Sequence, residues 1–224
     1  MDSIIKKIDH TFLKPNATEE DIRRICGEAK RFGFTAVAVN PCWISCCKKE
    51  LAGTDIIIDA TVGFPLGQML KESKAAECTD VIREGAGEVD MVMNVGKFLS
   101  GDFDYVYEDI KGVAGCCHSS GIQCKVILET CFLTDEQIVR ACGIAEKAGA
   151  DYVKTSTGLN GSGATAEIIR LMRKSCGPSV KIKAAGGIRT LAQARIMEEA
   201  GADRIGTSAG TAIAAELAGG ADWP

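Results

Sequence analysis

Gly149-Ala150-Asp151-Tyr152-Val153-Lys154-Thr155-Ser156-Thr157-Gly158 reads as a helix-ending glycine, a short strand carrying a lysine near its end, and a turn of small residues. Glycine supplies the left-handed residue that a helix C-terminus wants, and the β-type run behind it suits a buried strand. The same grammar recurs at Gly85-Ala86-Gly87-Glu88-Val89-Asp90 and at Gly201-Ala202-Asp203-Arg204-Ile205. Three copies of one helix-to-strand junction indicate a chain built by repeating a βα unit.

Outward from this stretch, strand-type and helix-type runs alternate along the whole chain. Strands are predicted at residues 4–10, 35–40, 56–62, 88–93, 124–130, 152–155, 180–184 and 204–207. Continuous apolar runs such as Ile56-Ile57-Ile58 belong to parallel strands covered on both faces. Helices open at Thr18-Glu19-Glu20-Asp21 and Thr134-Asp135-Glu136-Gln137, where a threonine caps and acidic residues fill the positive first turn. Longer helical regions are predicted over about 69–85, with Lys71, Glu72, Lys74 and Glu77 on its wet side, and over about 97–120. Eight strands and eight helices, joined by right-handed crossovers with no Pro/Ser-rich linker, predict an α/β fold: a single-domain (β/α)8 TIM barrel over residues 1–224. In such a barrel, chemistry sits at the strand C-terminal ends.

The composition is that of an ordinary globular protein, and its small net charge of -4 with dispersed basic residues argues against a nucleic-acid or anionic-membrane surface. The first residues lack the apolar core of a signal peptide and no run approaches a membrane span, so a cytoplasmic location is expected. Eleven cysteines, an odd number with many in helix-like segments, are expected to be reduced small hydrophobes. Cys42, Cys46, Cys47 and the run Cys116-Cys117-His118 include no CxxC pair, so no metal is expected.

Polar residues at strand ends carry the chemistry. Asp9, Asp90, Lys154 and Lys183 each fall in or near the second half of a predicted strand. A lysine buried there loses hydration, its pKa falls, and a nucleophilic amine becomes available for imine chemistry on a carbonyl; the bland alternative is a solvated strand end. In Lys181-Ile182-Lys183 both lysines share a side, with Lys183 nearer the mouth. A second ammonium would depress Lys154 further, and Asp90 could offset charge and pass protons. Ala184-Ala185-Gly186-Gly187-Ile188 and Gly206-Thr207-Ser208-Ala209-Gly210, with Arg189 close by, suit a phosphate held by backbone N–H groups; the alternative is that these glycines only turn the chain. Glu129-Thr130 is expected to serve a proton network or to satisfy loop amides. His10 reads as a hydrogen-bonded strand-end residue, opposite in parity to Asp9. Gly158-Leu159-Asn160-Gly161-Ser162-Gly163 matches neither nucleotide-binding glycine pattern.

These blocks resemble the deoxyribose-phosphate aldolases, a family of class I aldolases. The resemblance covers nearly the whole chain: Ile8-Asp9-His10-Thr11-Phe12-Leu13, Val62-Gly63-Phe64-Pro65, Glu88-Val89-Asp90-Met91-Val92, Val126-Ile127-Leu128-Glu129-Thr130, Tyr152 to Gly158, and Lys183-Ala184-Ala185-Gly186-Gly187-Ile188-Arg189-Thr190. It implies reversible cleavage of 2-deoxy-D-ribose 5-phosphate to D-glyceraldehyde 3-phosphate and acetaldehyde, without a cofactor. It further implies that Lys154 forms the Schiff base, Lys183 perturbs its pKa, and Asp90 relays protons. Asp9 would meet a substrate hydroxyl, Thr155 would join the substrate site, and Gly158, Gly186, Gly187 and Ser208 would hold phosphate. A homo-oligomer, dimer or tetramer, is expected. Two departures stand out: some relatives carry a lysine and a second serine where this chain has Leu159 and Ala209, and some end in a tyrosine-tipped tail where this chain ends Ala221-Asp222-Trp223-Pro224. Weaker phosphate binding and an absent or replaced tail function are expected. The competing readings are another Schiff-base aldolase of small phosphosugars, a phosphosugar isomerase, and a catalytically silent sugar-phosphate binder.

Overall fold

Eight parallel strands close into a barrel in the computed structural model, which describes residues 4–219. The strands are β1 (Ile8–Phe12), β2 (Ala36–Val39), β3 (Ile57–Val62), β4 (Glu88–Val92), β5 (Gln123–Ile127), β6 (Tyr152–Lys154), β7 (Lys181–Ala185) and β8 (Arg204–Thr207). Each pairs with its successor, and β8 returns to β1 with Gly206 beside Asp9. The helices are α1 (Glu19–Phe32), α2 (Ile44–Glu50), α3 (Lys71–Glu84), α4 (Val95–Leu99), α5 (Phe103–Ser119), α6 (Asp135–Lys147), α7 (Ala166–Ser175), α8 (Leu191–Glu199) and α9 (Gly210–Leu217). The terminal run Ala221-Asp222-Trp223-Pro224 lies outside the described residues.

The structure redraws several predicted boundaries. Ile5–Lys7 forms a 3-10 turn, so β1 begins at Ile8. The strand predicted over 124–130 ends at Ile127, because Glu129 adopts a left-handed conformation (φ 54°) and Thr130–Phe132 turns as a 3-10 helix. The helical region predicted over 97–120 divides at Gly101 (φ 79°), after which Asp102 Oδ1 accepts from the Tyr105 N–H at 3.3 Å and starts a fresh helix. Nine α-helices therefore stand among the described residues where eight were expected. Thr18, Thr134 and Thr190 each make a capping box with the residue three positions on.

Strand parity divides the molecule into two interiors. Val37, Val39, Val89, Met91, Val126, Val153, Ile182 and Ile205 face outward and pack in one apolar core against the helices. Helix α1 contributes Ile22, Ile25, Cys26 and Ala29 to it, and truncating a buried isoleucine there is worth about 2–5 kcal/mol. The intervening residues point into the barrel, where the small Ala36 and Ala38 leave room for long side chains. All eleven cysteines are free. Cys78 and Cys117 lie 3.6 Å apart, and this hydrogen bond with burial pushes the Cys78 thiol up, so it stays neutral.

Lys74 departs from the expected solvent face of α3. It is fully buried, donating to Asp109 of α5 at 2.5 Å and to the Val92 carbonyl at 2.9 Å. Lys74→Met alone is expected to cost about 3–5 kcal/mol by stranding the Asp109 carboxylate, whereas adding Asp109→Leu should restore most of the loss. Urea unfolding checks this; equal loss in the single and double variants would show that the pair is not what the site depends on.

Candidate active site

Seven of the eight strands, all but β2, carry an ionisable side chain at a position that faces the barrel lumen. Lys154 ends β6; its parity and its apolar neighbour Val153 place it inward, where it is almost fully buried. Its Nζ donates to Asp90 Oδ2 of β4 at 2.5 Å, and Lys183 of β7 donates to the same oxygen at 2.8 Å. Beneath them lies a continuous ionic layer. Lys183 also reaches Asp59 (2.7 Å) and Asp9 (2.6 Å), Arg204 joins Asp9 (3.1 Å) and Glu88 (2.6 Å), and Lys125 joins Asp59, Glu88 and Asp90 at 2.9, 2.6 and 3.3 Å. Among the described residues four basic side chains and four carboxyl groups thus meet in the lumen, each with a partner of opposite type, as burial demands.

The balance is uneven at individual groups, and this unevenness activates Lys154. Burial lowers the pKa of Lys154 below its ordinary value, and the Lys183 charge adds to the effect while Asp90 opposes it. Lys183 shows the reverse: burial disfavours its charge, yet Asp59, Asp9 and Asp90 together raise its pKa above the usual lysine value. Asp90 is held well below the carboxylate range, its burial outweighed by Lys154, Lys183 and Lys125. Asp90 therefore serves three ammonium groups, whereas Lys154 has one carboxylate within bonding distance, so the pairing stabilises the Asp90 anion more than the Lys154 cation. The result is a lysine with a lowered pKa beside a lysine with a raised one.

Above Lys154 opens a cavity of about 410 Å³ lined by Thr157, Gly158, Gly186, Gly187 and Ser208. Gly186 takes φ 90° and lies so close to Gly163 that a Cβ there would sit 2.8 Å from the Gly163 Cα; no side chain fits. Thr207 ties the two loops together, donating to the Ile188 carbonyl at 2.6 Å and accepting from the Ala209 N–H at 2.9 Å. Leu159, at the departure noted above, lines the rim and is 56% exposed. Glu129 satisfies loop amides: it accepts from the Thr157 N–H (3.0 Å), the Thr157 hydroxyl (2.5 Å) and Asn160 Nδ2 (3.1 Å). Glu129→Ala should therefore loosen the 157–160 loop and raise KM for a phosphorylated substrate about tenfold, with a smaller effect on kcat. Steady-state kinetics would show otherwise if KM held constant.

Asp9 and Thr155, the other expected substrate contacts, are both fully buried. Asp9 pairs with Lys183 at 2.6 Å and with Arg204 at 3.1 Å, and like Asp90 and Lys183 it sits behind the residues that line the cavity. Thr155 is buried with its hydroxyl donating to the Ala185 carbonyl (2.9 Å) and accepting from the Ala185 N–H (3.0 Å), so it joins β6 to β7. His10 faces outward as expected, bonded to Glu28 at 2.6 Å. The residues the sequence reading passed over are Asp59, Glu88, Lys125 and Arg204. Their signal was a charge at a fixed parity inside an otherwise apolar strand, as in Ile58-Asp59-Ala60 and Cys124-Lys125-Val126.

A desolvated lysine beside a carboxylate and a permanent ammonium, at the strand ends of a (β/α)8 barrel, defines an enzyme of the class I aldolase type. The chain belongs to the DeoC/LacD family of aldolases, which it matches over residues 3–216. It is 50% identical over 215 residues to the deoxyribose-phosphate aldolase of Thermoanaerobacter pseudethanolicus, covering 96% of each chain. To that of Bacillus cytotoxicus it is 52% identical over 211 residues, 94% of each chain. Among solved structures it is similar to the tetrameric deoxyribose phosphate aldolase of Aeropyrum pernix, with a TM-score of 0.89 and 33% identity over 96% of this chain and 91% of that one.

Proposed function

We propose that this aldolase cleaves 2-deoxy-D-ribose 5-phosphate reversibly to D-glyceraldehyde 3-phosphate and acetaldehyde through a Schiff base on Lys154. The observation that carries the reading is the Lys154–Asp90–Lys183 arrangement, with both amines on one carboxylate oxygen and Lys154 lining the cavity. Similarity to relatives bearing that activity over nearly their full length supports the choice of substrate.

In this reaction neutral Lys154 attacks C1 of the open-chain sugar, and the carbinolamine loses water to give an iminium. The iminium accepts the electron pair of the C2–C3 bond as the C3 hydroxyl loses its proton, releasing D-glyceraldehyde 3-phosphate and leaving an enamine. Protonation at C2 and hydrolysis then return acetaldehyde and the free amine. Asp90, in contact with Lys154, would accept and return protons through water, while burial and the Lys183 charge lower the Lys154 pKa and favour its neutral form. Gly158, Gly186, Gly187 and Ser208 border the cavity where the phosphate would rest on backbone N–H groups.

Closure of all eight strands into one barrel supports reading residues 1–224 as one aldolase domain. A homo-oligomer is supported by the tetramer of the Aeropyrum pernix relative, and light scattering would give the state. No helix among the described residues is long and apolar enough to cross a membrane, in keeping with a cytoplasmic enzyme. Borohydride trapping with acetaldehyde, read by mass spectrometry, tests the mechanism: a reduced adduct should map to Lys154. A binder or a carboxylate-dependent isomerase would leave every lysine unmodified.

A further inference from the structure

We infer that Lys14 and Arg24 form a second cationic wall of the cavity that selects phosphorylated substrates, an inference that rests on the proposed reaction. Among the described residues four basic side chains line the cavity, Lys14, Arg24, Lys154 and Arg189, and no carboxylate does. The chain as a whole carries 30 acidic against 26 basic residues, so this bias belongs to the site. Lys154 is buried at the floor and forms the imine, while the other three stand at the rim.

The wall is built by β1 and α1. Phe12, the last residue of β1, presents one ring to both cations: Lys14 Nζ lies 5.8 Å and Arg24 Cζ 5.5 Å from its centroid. Arg24 is anchored from behind, donating from Nη1 to Glu28 at 2.8 Å with Asp21 at 3.6 Å. Glu28 is itself shared with His10 at 2.6 Å, so the guanidinium is held against the cavity wall. Neither Glu28 nor Asp21 lines the cavity, and among the described residues no carboxylate lies within salt-bridge distance of Lys14. A free ammonium and a braced guanidinium therefore face the same space.

Barrel order sets what they face. Strand β8 lies between β7 and β1, so the Ser208 loop stands between the Gly186-Gly187 loop and the segment bearing Lys14. An anion resting on the glycine loops shares one cavity with Lys14 and Arg24. A phosphate monoester dianion, with three oxygens to satisfy, fits N–H groups on one side and two cations on the other. The rim at Leu159 is apolar, so it supplies no charge from the β6 side.

The test compares condensation of acetaldehyde with D-glyceraldehyde 3-phosphate and with unphosphorylated D-glyceraldehyde, in Lys14→Ala, Arg24→Ala and the double variant. The preference for the phosphorylated aldehyde, as a ratio of kcat/KM values, should fall about tenfold per cation removed, mainly through KM, and inhibition by inorganic phosphate should weaken in parallel. Lys14→Arg should keep most of the preference. Borohydride trapping with acetaldehyde reports an intact fold and lysine in each variant. An unchanged preference and unchanged phosphate inhibition in a double variant that still traps acetaldehyde would overturn the inference. A wild-type enzyme that traps acetaldehyde but does not cleave 2-deoxy-D-ribose 5-phosphate would instead overturn the proposed reaction.

Discussion

Lys154→Ala is expected to abolish the borohydride adduct and to lower turnover by about 10⁴-fold or more, while leaving stability within about 1 kcal/mol of the parent. The first half follows from covalent catalysis: among the described residues Lys154 is the one buried lysine that lines the cavity, and three carboxylates raise the Lys183 pKa. The second half follows from the ionic layer. Asp90 keeps Lys183 at 2.8 Å and Lys125 at 3.3 Å after Lys154 is gone, so it is not left as a bare buried charge. Burial and the Lys183 charge both work against the Lys154 ammonium in the folded state, and its removal relieves that tension. Calorimetry and trapping of the same preparation separate the two effects. A variant that unfolds, or one that retains a trapped adduct, would contradict the assignment of Lys154 as a nucleophile placed in a lumen that is stable without it.

Lys183→Met should produce the opposite pattern, a large stability loss together with a displaced pH profile. Removing Lys183 takes away a repulsion that lowers the Lys154 pKa and leaves Asp90 to face Lys154 more directly. Both changes raise the Lys154 pKa, so imine formation, which needs the neutral amine, should move to higher pH. Its rate near neutrality should fall about tenfold for every pH unit by which the profile moves. The stability effect has its own sign. A lysine whose folded pKa is raised above the ordinary value stabilises the fold at all pH values below that ordinary value, and the contribution fades only as pH rises through the raised one. At neutral pH it is fully present, so the variant should lose about 3–5 kcal/mol, with Asp9 and Asp59 left short of a cation. Those carboxylates would then bind protons more readily, and acid unfolding should begin at higher pH than in the parent. Trapping rate against pH, with urea unfolding at two pH values, measures all three. An unchanged pH profile would remove the second ammonium from the mechanism.

The contrast between these two lysines shows what was legible in the chain. Lys154 and Lys183 look alike in sequence, each an apolar strand's charged exception followed by small residues. Their distinct roles come from partners far off in the chain, one carboxylate at Lys154 and three at Lys183. Asp90 stands 64 residues from Lys154, and Asp59 stands 124 from Lys183. The same holds for Lys74, which read as a solvent-facing helix residue until Asp109 of α5 drew it inside.

The sequence by itself determined the repeating βα unit, the eight strands, the lysine proposed as nucleophile, its two principal companions and the glycine loops. Each of these is written in local signals: period-two burial, threonine caps, glycines that end helices, a charge where an apolar side chain belongs. Only the tertiary structure decided that Asp9 pairs with Lys183 and Arg204, that Thr155 joins two strands, that Asp59, Glu88, Lys125 and Arg204 complete an ionic layer, and that Lys14 and Arg24 share the cavity. Those facts depend on strand register and barrel closure, which set which charges meet across the lumen. Charge balance in a buried space is a property of the closed assembly, and no single stretch of chain carries it.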